Sequence, residues 1–174
     1  MLEYQLAGSG LGADQVEAVV HFLGEWALIV VLLSFSVSPL RRVCKQPLIG
    51  RCRRLVGLFA FAYVLLHVLG YLALYLEFSM AEFLDDLVER TYITAGMAAS
   101  IGMMLMAATS TRAWQRRLGG LWRRLHLIIY AAVPLALLHL WWLTRDGYGE
   151  PLLYTAWFAL MLGERVWRRR SLIS

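Results

Sequence analysis

The stretch LVGLFAFAYVLLHVLGYLALYL (residues 55–76) contains 22 consecutive residues without Asp, Glu, Lys or Arg. An α-helix needs about 20 mostly apolar residues to cross the hydrocarbon core of a bilayer, so this stretch predicts a membrane-spanning helix. Residues 91–111 and residues 125–144 are uncharged over 21 and 20 positions, and they predict two more spans by the same rule. The chain is therefore predicted to be a polytopic membrane protein.

Two further spans are less regular. Residues 18–40 are interrupted by Glu25 and are predicted to end at Pro39. The fifth span, residues 151–167, begins with 13 uncharged positions and needs its charged end to lie at the membrane surface. No internal repeat or linker divides the chain. The predicted fold is a single all-α domain over residues 1–174, a transmembrane bundle of about five spanning helices.

The composition excludes a soluble enzyme and a disordered chain. Of the 174 residues, 60% are hydrophobic and 17% charged, and the mean hydropathy is +0.59. A soluble domain has about 45–50% apolar and about 25% charged residues. Cys44 and Cys52 match neither a zinc-ligand nor a haem-attachment spacing. The spans contain no HExxH, GxSxG or paired-carboxylate motif, so hydrolytic chemistry is not predicted.

The basic residues collect on one side of the predicted zigzag of spans. Residues 38–54, residues 110–124 and the tail after residue 163 contain 15 of the 17 Lys and Arg. Cytoplasmic segments are rich in Lys and Arg, so the C-terminus is predicted inside and the N-terminus outside. Topology and anionic lipid headgroups explain this basic pattern, and nucleic-acid binding is not predicted. On the opposite side, the acidic segment 77–90 predicts a short amphipathic helix or a solvated linker.

Two histidines fall at similar depth on separate spans. At 1.5 Å per residue, His67 lies about 18 Å and His139 about 21 Å above the inner ends of their helices. A single histidine could simply hydrogen-bond a neighbouring helix, but such a pair predicts bis-histidine ligation of one haem iron. Gly70 and Ala136 are predicted to leave room for the flat macrocycle.

The other two histidines have different predicted roles. His126 precedes His139 by 13 residues, so it lies about 20 Å away along the helix, near the inner surface. It is a candidate for a second haem, a flavin or a quinone, with Arg123 and Arg124 available to hold a flavin phosphate. The alternative is that His126 only caps its helix. His21 is predicted to lie at the outer interface.

Ordered motifs along the chain resemble those of the MsrQ (YedZ) family, haem-containing membrane subunits of the ferric-reductase-like transmembrane superfamily. The motifs are GLGADQVEAVVHFLGEWAL (10–28), SPLRRVCKQPLIGRCRRLVGLFAFAYVLLHVLGY (38–71), RTYIT (90–94), TSTRAWQRRLGGLWRRLHLIIY (109–130), LLHLWWL (137–143) and EPLLYTAWFALMLG (150–163). The resemblance implies that His67, His126 and His139 are haem ligands, with His67 and His139 sharing one haem. Family members commonly have a further helix before the first motif, and here only residues 1–9 precede it.

The resemblance also implies a function in the bacterial inner membrane. Members of the family pass electrons through b-type haem to a periplasmic molybdenum enzyme, MsrP, which reduces methionine sulfoxide in oxidised envelope proteins. The electrons come from the quinone pool or from a cytoplasmic flavin reductase, and FMN is associated with the subunit. Catalysis is then expected on the partner, and whether this chain is itself an enzyme stays open.

Two alternative functions remain. One is a self-sufficient transmembrane ferric or quinone reductase without a protein partner. The other, from a different class, is a small transporter or assembly factor whose histidines handle protons or a metal. Haem absorbance separates this last function from the two redox functions, and copurification with a molybdenum enzyme separates the redox functions from each other.

Overall fold

A computed structural model describes residues 13–145 and 147–171 of the chain. These two ranges contain helices joined by short connections and no β-strand, so the predicted all-α fold is confirmed. The α-helices are α1 (Ala13–Val43), α2 (Pro47–Leu74), α3 (Met80–Glu89), α4 (Thr91–Ala108), α5 (Arg112–Leu118), α6 (Gly120–Leu125), α7 (Ile129–Leu143) and α8 (Gly149–Ser171). A 3-10 turn, His126–Ile128, joins α6 to α7.

Within the described ranges, four helical segments are long and apolar enough to cross a membrane. They are Gln15–Val43, Leu48–Leu74, Thr91–Ala108 and Gly120–Leu143. Each overlaps one of the first four spans predicted from the sequence, so those four are confirmed as apolar helices of membrane-spanning length. The fifth predicted span, residues 151–167, lies within α8, and its passage through a membrane stays a prediction.

Two pairs of packed helices form the bundle, α1 with α2 and α4 with α7. Gly102 allows the close approach of the second pair, because a Cβ atom there would lie 3.0 Å from Ile128 Cγ2 and 3.4 Å from Ala132 Cβ. Small interface residues let helices in lipid gain van der Waals contact, which is a main source of their association. Leu32 and Val133, 0% and 1% exposed, lie in the core shared by the two pairs.

The first helix continues through Pro39 to Val43, so the prediction that the span ends at Pro39 is wrong. Proline lacks the N–H that would bond the carbonyl four residues earlier, which here belongs to Phe35. The Arg165 guanidinium of α8 donates to this carbonyl, with Nη2 2.8 Å from the oxygen. A side chain from another helix thus replaces the missing donor, as membrane helices that contain proline require.

Helix α8 runs beside α1 in the same direction. Near its start, the Tyr154 hydroxyl donates to Glu25 Oε1 at 3.0 Å, and near its end Glu164 accepts from Arg42. At 1.5 Å per residue, these contacts lie about 25 Å apart along α1 and about 15 Å apart along α8. Helix α8 therefore lies alongside a helix of membrane-spanning length, which favours the predicted fifth span.

The basic end of the bundle, defined as residues 41–54, 110–124 and 164–171, is more helical than the sequence predicts. A loop is predicted over residues 38–54, but only residues 44–46 separate α1 from α2. Basic residues are good helix formers, so they extend the spans beyond the apolar stretches rather than interrupting the helices. Hydropathy therefore locates the apolar part of each helix, but it does not show at which residue the helix begins or ends.

The acidic end of the bundle, defined as residues 77–90, contains α3, so the helical alternative for this segment is confirmed. Ser79 Oγ accepts a hydrogen bond from the Glu82 N–H at 3.4 Å and caps the helix. Leu84 and Val88 are 55% and 83% exposed on one face of the helix. An exposed apolar face beside acidic residues is typical of a helix lying in the membrane interface.

We expect Arg165→Met to lower the thermal stability of the purified protein, because the Phe35 carbonyl loses its donor. An unpaired buried polar group costs about 1–3 kcal/mol. In a Pro39→Ala background the restored N–H bonds the same carbonyl, so the loss caused by Arg165→Met should become smaller. Thermal unfolding of the four proteins in one detergent measures this coupling. Equal losses in the two backgrounds would contradict the compensation.

Candidate functional site

The structure brings His67 and His139 together. Their ring centroids lie 6.2 Å apart, and the ring planes are inclined by 77°. His67 belongs to α2 and His139 to α7, so one ring comes from each pair of helices. Both side chains are half-buried. The two histidines that were predicted to lie at similar depth on separate spans are therefore neighbours in the bundle.

A backbone carbonyl of the neighbouring helix holds each ring. Nδ1 of His67 lies 2.9 Å from the Val20 oxygen, and Nδ1 of His139 lies 2.7 Å from the Tyr92 oxygen. A carbonyl oxygen only accepts, so each Nδ1 donates, and in the neutral ring the lone pair is on Nε2. Metal-ligating histidines usually donate their other ring N–H to a carbonyl or carboxylate in this way. The pair therefore fits the donor set of a bis-histidine haem.

Gly24 and Gly96 make room for these hydrogen bonds. Each lies one helical turn after the residue whose carbonyl accepts, on the same helix face. A Cβ atom at Gly24 would lie 2.9 Å from His67 Cε1, and one at Gly96 would lie 2.8 Å from His139 Nδ1. Carbon contacts are optimal at about 3.5–4.0 Å, so a larger residue would push the imidazole away from its carbonyl.

The two sites have the same construction. In each, the histidine follows the accepting carbonyl by 47 residues, and a glycine lies one turn after that carbonyl. The helix pairs α1–α2 and α4–α7 therefore repeat one arrangement. The sequence analysis missed this repeat because it rests on a few positions within apolar stretches that otherwise differ. A search for equal glycine-to-histidine spacings would have found it.

Gly70 packs on α1, and its predicted role of leaving room for a macrocycle stays a prediction. A Cβ atom at Gly70 would lie 3.5 Å from Val20 Cγ2 and 3.8 Å from Leu23 Cδ1, so this glycine faces α1 at ordinary contact distance. Ala136 packs partly buried against the central core. The glycines that position the rings lie on the two helices that supply the carbonyls.

The structure does not bring His126 into the pair. Its ring packs on Trp122 with centroids 4.0 Å apart, and its Nδ1 lies 3.1 Å from the Trp122 carbonyl oxygen. Arg53 of α2 lies close enough to act on His126 electrostatically. Arg123 and Arg124 are exposed on α6. The predicted roles of these three residues toward a second haem, a flavin or a quinone stay predictions.

Two other sequence expectations concern residues outside the pair. His21 is exposed at the start of α1, with Nε2 3.8 Å from Glu17 Oε1, as expected for an interfacial residue. Cys44 and Cys52 are exposed and not joined in a disulfide.

Glu25 is a polar residue whose importance the sequence analysis missed. It adjoins Gly24, so it lies at the depth of the imidazole pair, and it accepts the hydrogen bond from Tyr154. Tyr154 is only 6% exposed. An ionisable residue at this depth of a membrane is costly unless it is paired. In the sequence Glu25 is only an interruption of an apolar stretch, because its partner Tyr154 is 129 residues away in the chain.

A polar network lies between the imidazole pair and the acidic end. The Tyr71 hydroxyl, one turn beyond His67, donates to Asp86, and Arg90 Nε lies 3.0 Å from the other Asp86 oxygen. Hydrogen bonding with Tyr92 and the nearby Asp86 carboxylate raise the pKa of Arg90, which therefore stays charged. The network borders a cavity of about 260 Å³ lined by Tyr71, Tyr75, Leu76, Glu82, Asp85, Asp86 and Arg90.

Comparison with known proteins gives one consistent result. The sequence profile of the family described as "Ferric reductase like transmembrane component" matches residues 23–137. The chain is 41% identical to the protein-methionine-sulfoxide reductase heme-binding subunit MsrQ of Xanthomonas axonopodis pv. citri (strain 306), over 97% of this chain and 77% of that protein. It is 38% identical to the MsrQ subunit of Caulobacter vibrioides, over 94% and 79%. No solved structure matches.

We expect Gly96→Ala and Gly24→Ala to destabilise the protein by about 1–3 kcal/mol, the usual cost of overpacking, because each new methyl group overlaps an imidazole ring. Gly163→Ala is the matched control, since nothing lies within 4 Å of a Cβ atom there. Thermal unfolding in detergent compares the three variants. If Gly163→Ala and Gly96→Ala unfold alike, the glycines are not needed to seat the rings.

Proposed function

The chain belongs to the family of ferric reductase like transmembrane components and, within it, to the MsrQ subunits, and we propose that it is a haem-b electron-transfer subunit of a methionine sulfoxide reductase system. The observation that carries the proposal is the imidazole pair of His67 and His139, held 6.2 Å apart by carbonyls of the neighbouring helices. The relatives are named heme-binding subunits, which agrees with this donor set.

In the proposal, His67 and His139 would hold one b-type haem through their Nε2 atoms, the nitrogens left free by the carbonyl hydrogen bonds. A haem with two histidine ligands supplies a one-electron Fe(III)/Fe(II) couple. The residues of this chain hold the ligands in place. The Val20 and Tyr92 carbonyls select the ring tautomer, fix the ring orientation and increase the basicity of the ligating nitrogens. The apolar helices around the pair keep water away and lower the local dielectric.

We place electron delivery at the basic end of the bundle. His126 begins the turn that leads from α6 into α7, and Arg123 and Arg124 precede it. This position suits a donor that arrives from the cytoplasmic side, a quinol of the membrane pool or a cytoplasmic flavin reductase. The two guanidinium groups could hold the phosphate of FMN by charge-assisted hydrogen bonds. A second haem at His126 is the competing assignment.

We place electron release at the acidic end. Tyr71 lies one turn beyond His67, and the backbone of Tyr92 holds His139, so the pair is closer to this end than to the basic end. The proposed acceptor is the periplasmic molybdenum enzyme MsrP. That partner takes two electrons and two protons to reduce methionine sulfoxide to methionine and water. This chain then supplies electrons for the repair of oxidised periplasmic proteins and carries out no sulfoxide chemistry itself.

The proposed orientation puts the basic end in the cytoplasm and α8 across the inner membrane as the fifth span. A reporter that is active only in the periplasm, fused to the C-terminus, should therefore give no signal. The same reporter inserted in the acidic end, between α2 and α3, should be active. The reverse pattern would invert the bundle and exchange the proposed ends for electron delivery and release.

His67→Ala and His139→Ala should each abolish the low-spin reduced spectrum of the shared haem, because alanine cannot ligate iron. His126→Ala is the matched control, since it removes a histidine outside the pair. It should keep most of this spectrum and slow haem reduction by a donor at the basic end. Haem content and reduced-minus-oxidised absorbance measure both effects. An unchanged α-band with full haem content in both pair variants would exclude the shared site.

The function itself is tested with the full chain in liposomes. After chemical reduction, addition of MsrP with methionine sulfoxide should reoxidise the haem, and MsrP without the sulfoxide should do so only until the partner is reduced. Ferric citrate serves as the comparison acceptor. Rapid reoxidation by ferric citrate, together with none by MsrP and sulfoxide, would instead establish a self-sufficient ferric reductase. Purification of the protein without haem would exclude both redox functions.

A further inference from the structure

A shallow cavity of about 420 Å³, widely open to the surroundings, lies at the basic end between the end of α1 and the end of α8. Its lining is entirely basic and consists of Arg41, Arg42, Lys45 and Arg168. Arg41 and Arg42 lie in the last turn of α1, Lys45 lies just after it, and Arg168 comes from the last helix. The cavity therefore exists only because α8 packs beside α1. A concave surface lined by cations attracts an anion.

Within residues 13–145 and 147–171, the carboxylates do not neutralise these cations. Glu164 accepts from Arg42 and lies 3.1 Å from Arg168 Nε, so two guanidinium groups share one carboxylate. In the ranges that the structure describes, neither Arg41 nor Lys45 forms an ion pair with a carboxylate. Arg42 Nε is buried and has no hydrogen-bond partner among the same residues. The cavity keeps an excess of positive charge and unused donors.

Neighbouring guanidinium groups add to this charge. Arg165 donates to the Phe35 carbonyl and to the Tyr130 hydroxyl, at 2.8 Å and 2.9 Å, and both acceptors are neutral. Arg53 of α2 lies within electrostatic range of Arg165 and Arg41. Arg165 and Arg53 do not line the cavity, but they add to the positive charge of the basic end.

Lys45 lines the cavity at a conformational cost. Its φ of 52° lies in the left-handed region, which costs a residue with a side chain roughly 1–2 kcal/mol. Glycine or asparagine usually occupies this conformation just after a helix. Lys45 is nevertheless one of the four residues that line the cavity.

Exposed apolar side chains adjoin the cavity residues along the same helix ends. Leu40 and Val43 are 49% and 80% exposed next to the cations of α1, and Trp167 is 69% exposed next to Arg168. We propose that the cavity binds the phosphate of an anionic phospholipid, whose acyl chains lie along these apolar side chains. Basic pockets between membrane helices on the cytoplasmic side are suited to such headgroups.

The bound phosphate would link the end of α1 to the basic C-terminal end of α8. This role is separate from electron transfer and does not depend on the haem. FMN and inorganic phosphate share the phosphate chemistry but have no acyl chains. They are the competing occupants, and the experiment must separate them from a lipid.

The test is native mass spectrometry of the full chain in detergent, titrated with phosphatidylglycerol. Phosphatidylcholine with the same acyl chains, FMN and inorganic phosphate are the comparison ligands. We expect a defined one-to-one complex with phosphatidylglycerol, and binding at least tenfold weaker for phosphatidylcholine and inorganic phosphate. Any FMN that binds, for example at Arg123 and Arg124, should be unaffected by changes to the cavity residues. Lys45→Gln with Arg168→Gln should weaken phosphatidylglycerol binding at least tenfold. Arg112→Gln with Arg116→Gln, the matched control on α5, removes the same charge and should leave the binding unchanged.

Other outcomes would overturn the proposal. Equal losses in the two double variants would mean diffuse attraction to basic surface and no site. Tight binding of FMN or inorganic phosphate that is lost in Lys45→Gln with Arg168→Gln would make the cavity a site for soluble phosphates. Lys45→Gln and Lys45→Arg are tested singly, because Lys45 lies outside the helices and its replacement spares the Arg168 ion pair. Lys45→Gln should weaken phosphatidylglycerol binding, and Lys45→Arg should retain it because arginine keeps the positive charge. Loss of binding in both single variants would exclude a requirement for charge at this position.

Discussion

The hydrogen bond from an imidazole to a backbone carbonyl of the next helix is the interaction on which the candidate site depends. In an α-helix a carbonyl already accepts from the N–H four residues later, and the side chain at that position covers it. Glycine at that position uncovers the Val20 and Tyr92 oxygens to the two rings. One interaction therefore selects the tautomer, orients the ring and sets how closely the two helices approach.

The same constraint, that polar groups within a membrane need partners, also explains how α8 is held. Arg165 supplies the donor that Pro39 removes from α1, and the Tyr154 hydroxyl pairs with Glu25. Each contact satisfies a group that would be costly to leave unpaired in lipid. The polar residues that look like defects in the apolar stretches are the residues that join the helices. The bundle is specified by these few contacts and by close packing of small side chains.

The arrangement also separates the two ends chemically. The imidazole pair lies toward the acidic end, where Tyr71, Asp86 and Arg90 form a polar network. The opposite end concentrates lysine and arginine around a basic cavity. The proposed function would use such asymmetry, because the donor and the acceptor would recognise different surfaces. Steering of partners by surface charge acts over roughly one Debye length, about 8 Å at physiological ionic strength.

The sequence by itself determined the helical class, four apolar helices of spanning length and the pair His67 and His139 as the candidate site. Hydropathy and rise per residue are local properties, so they can be read along the chain. The tertiary structure decided what compensates Pro39 and that Gly24 and Gly96 seat the rings. These features could not be predicted because each depends on an atom from another helix, and only the packed bundle brings those atoms within contact distance.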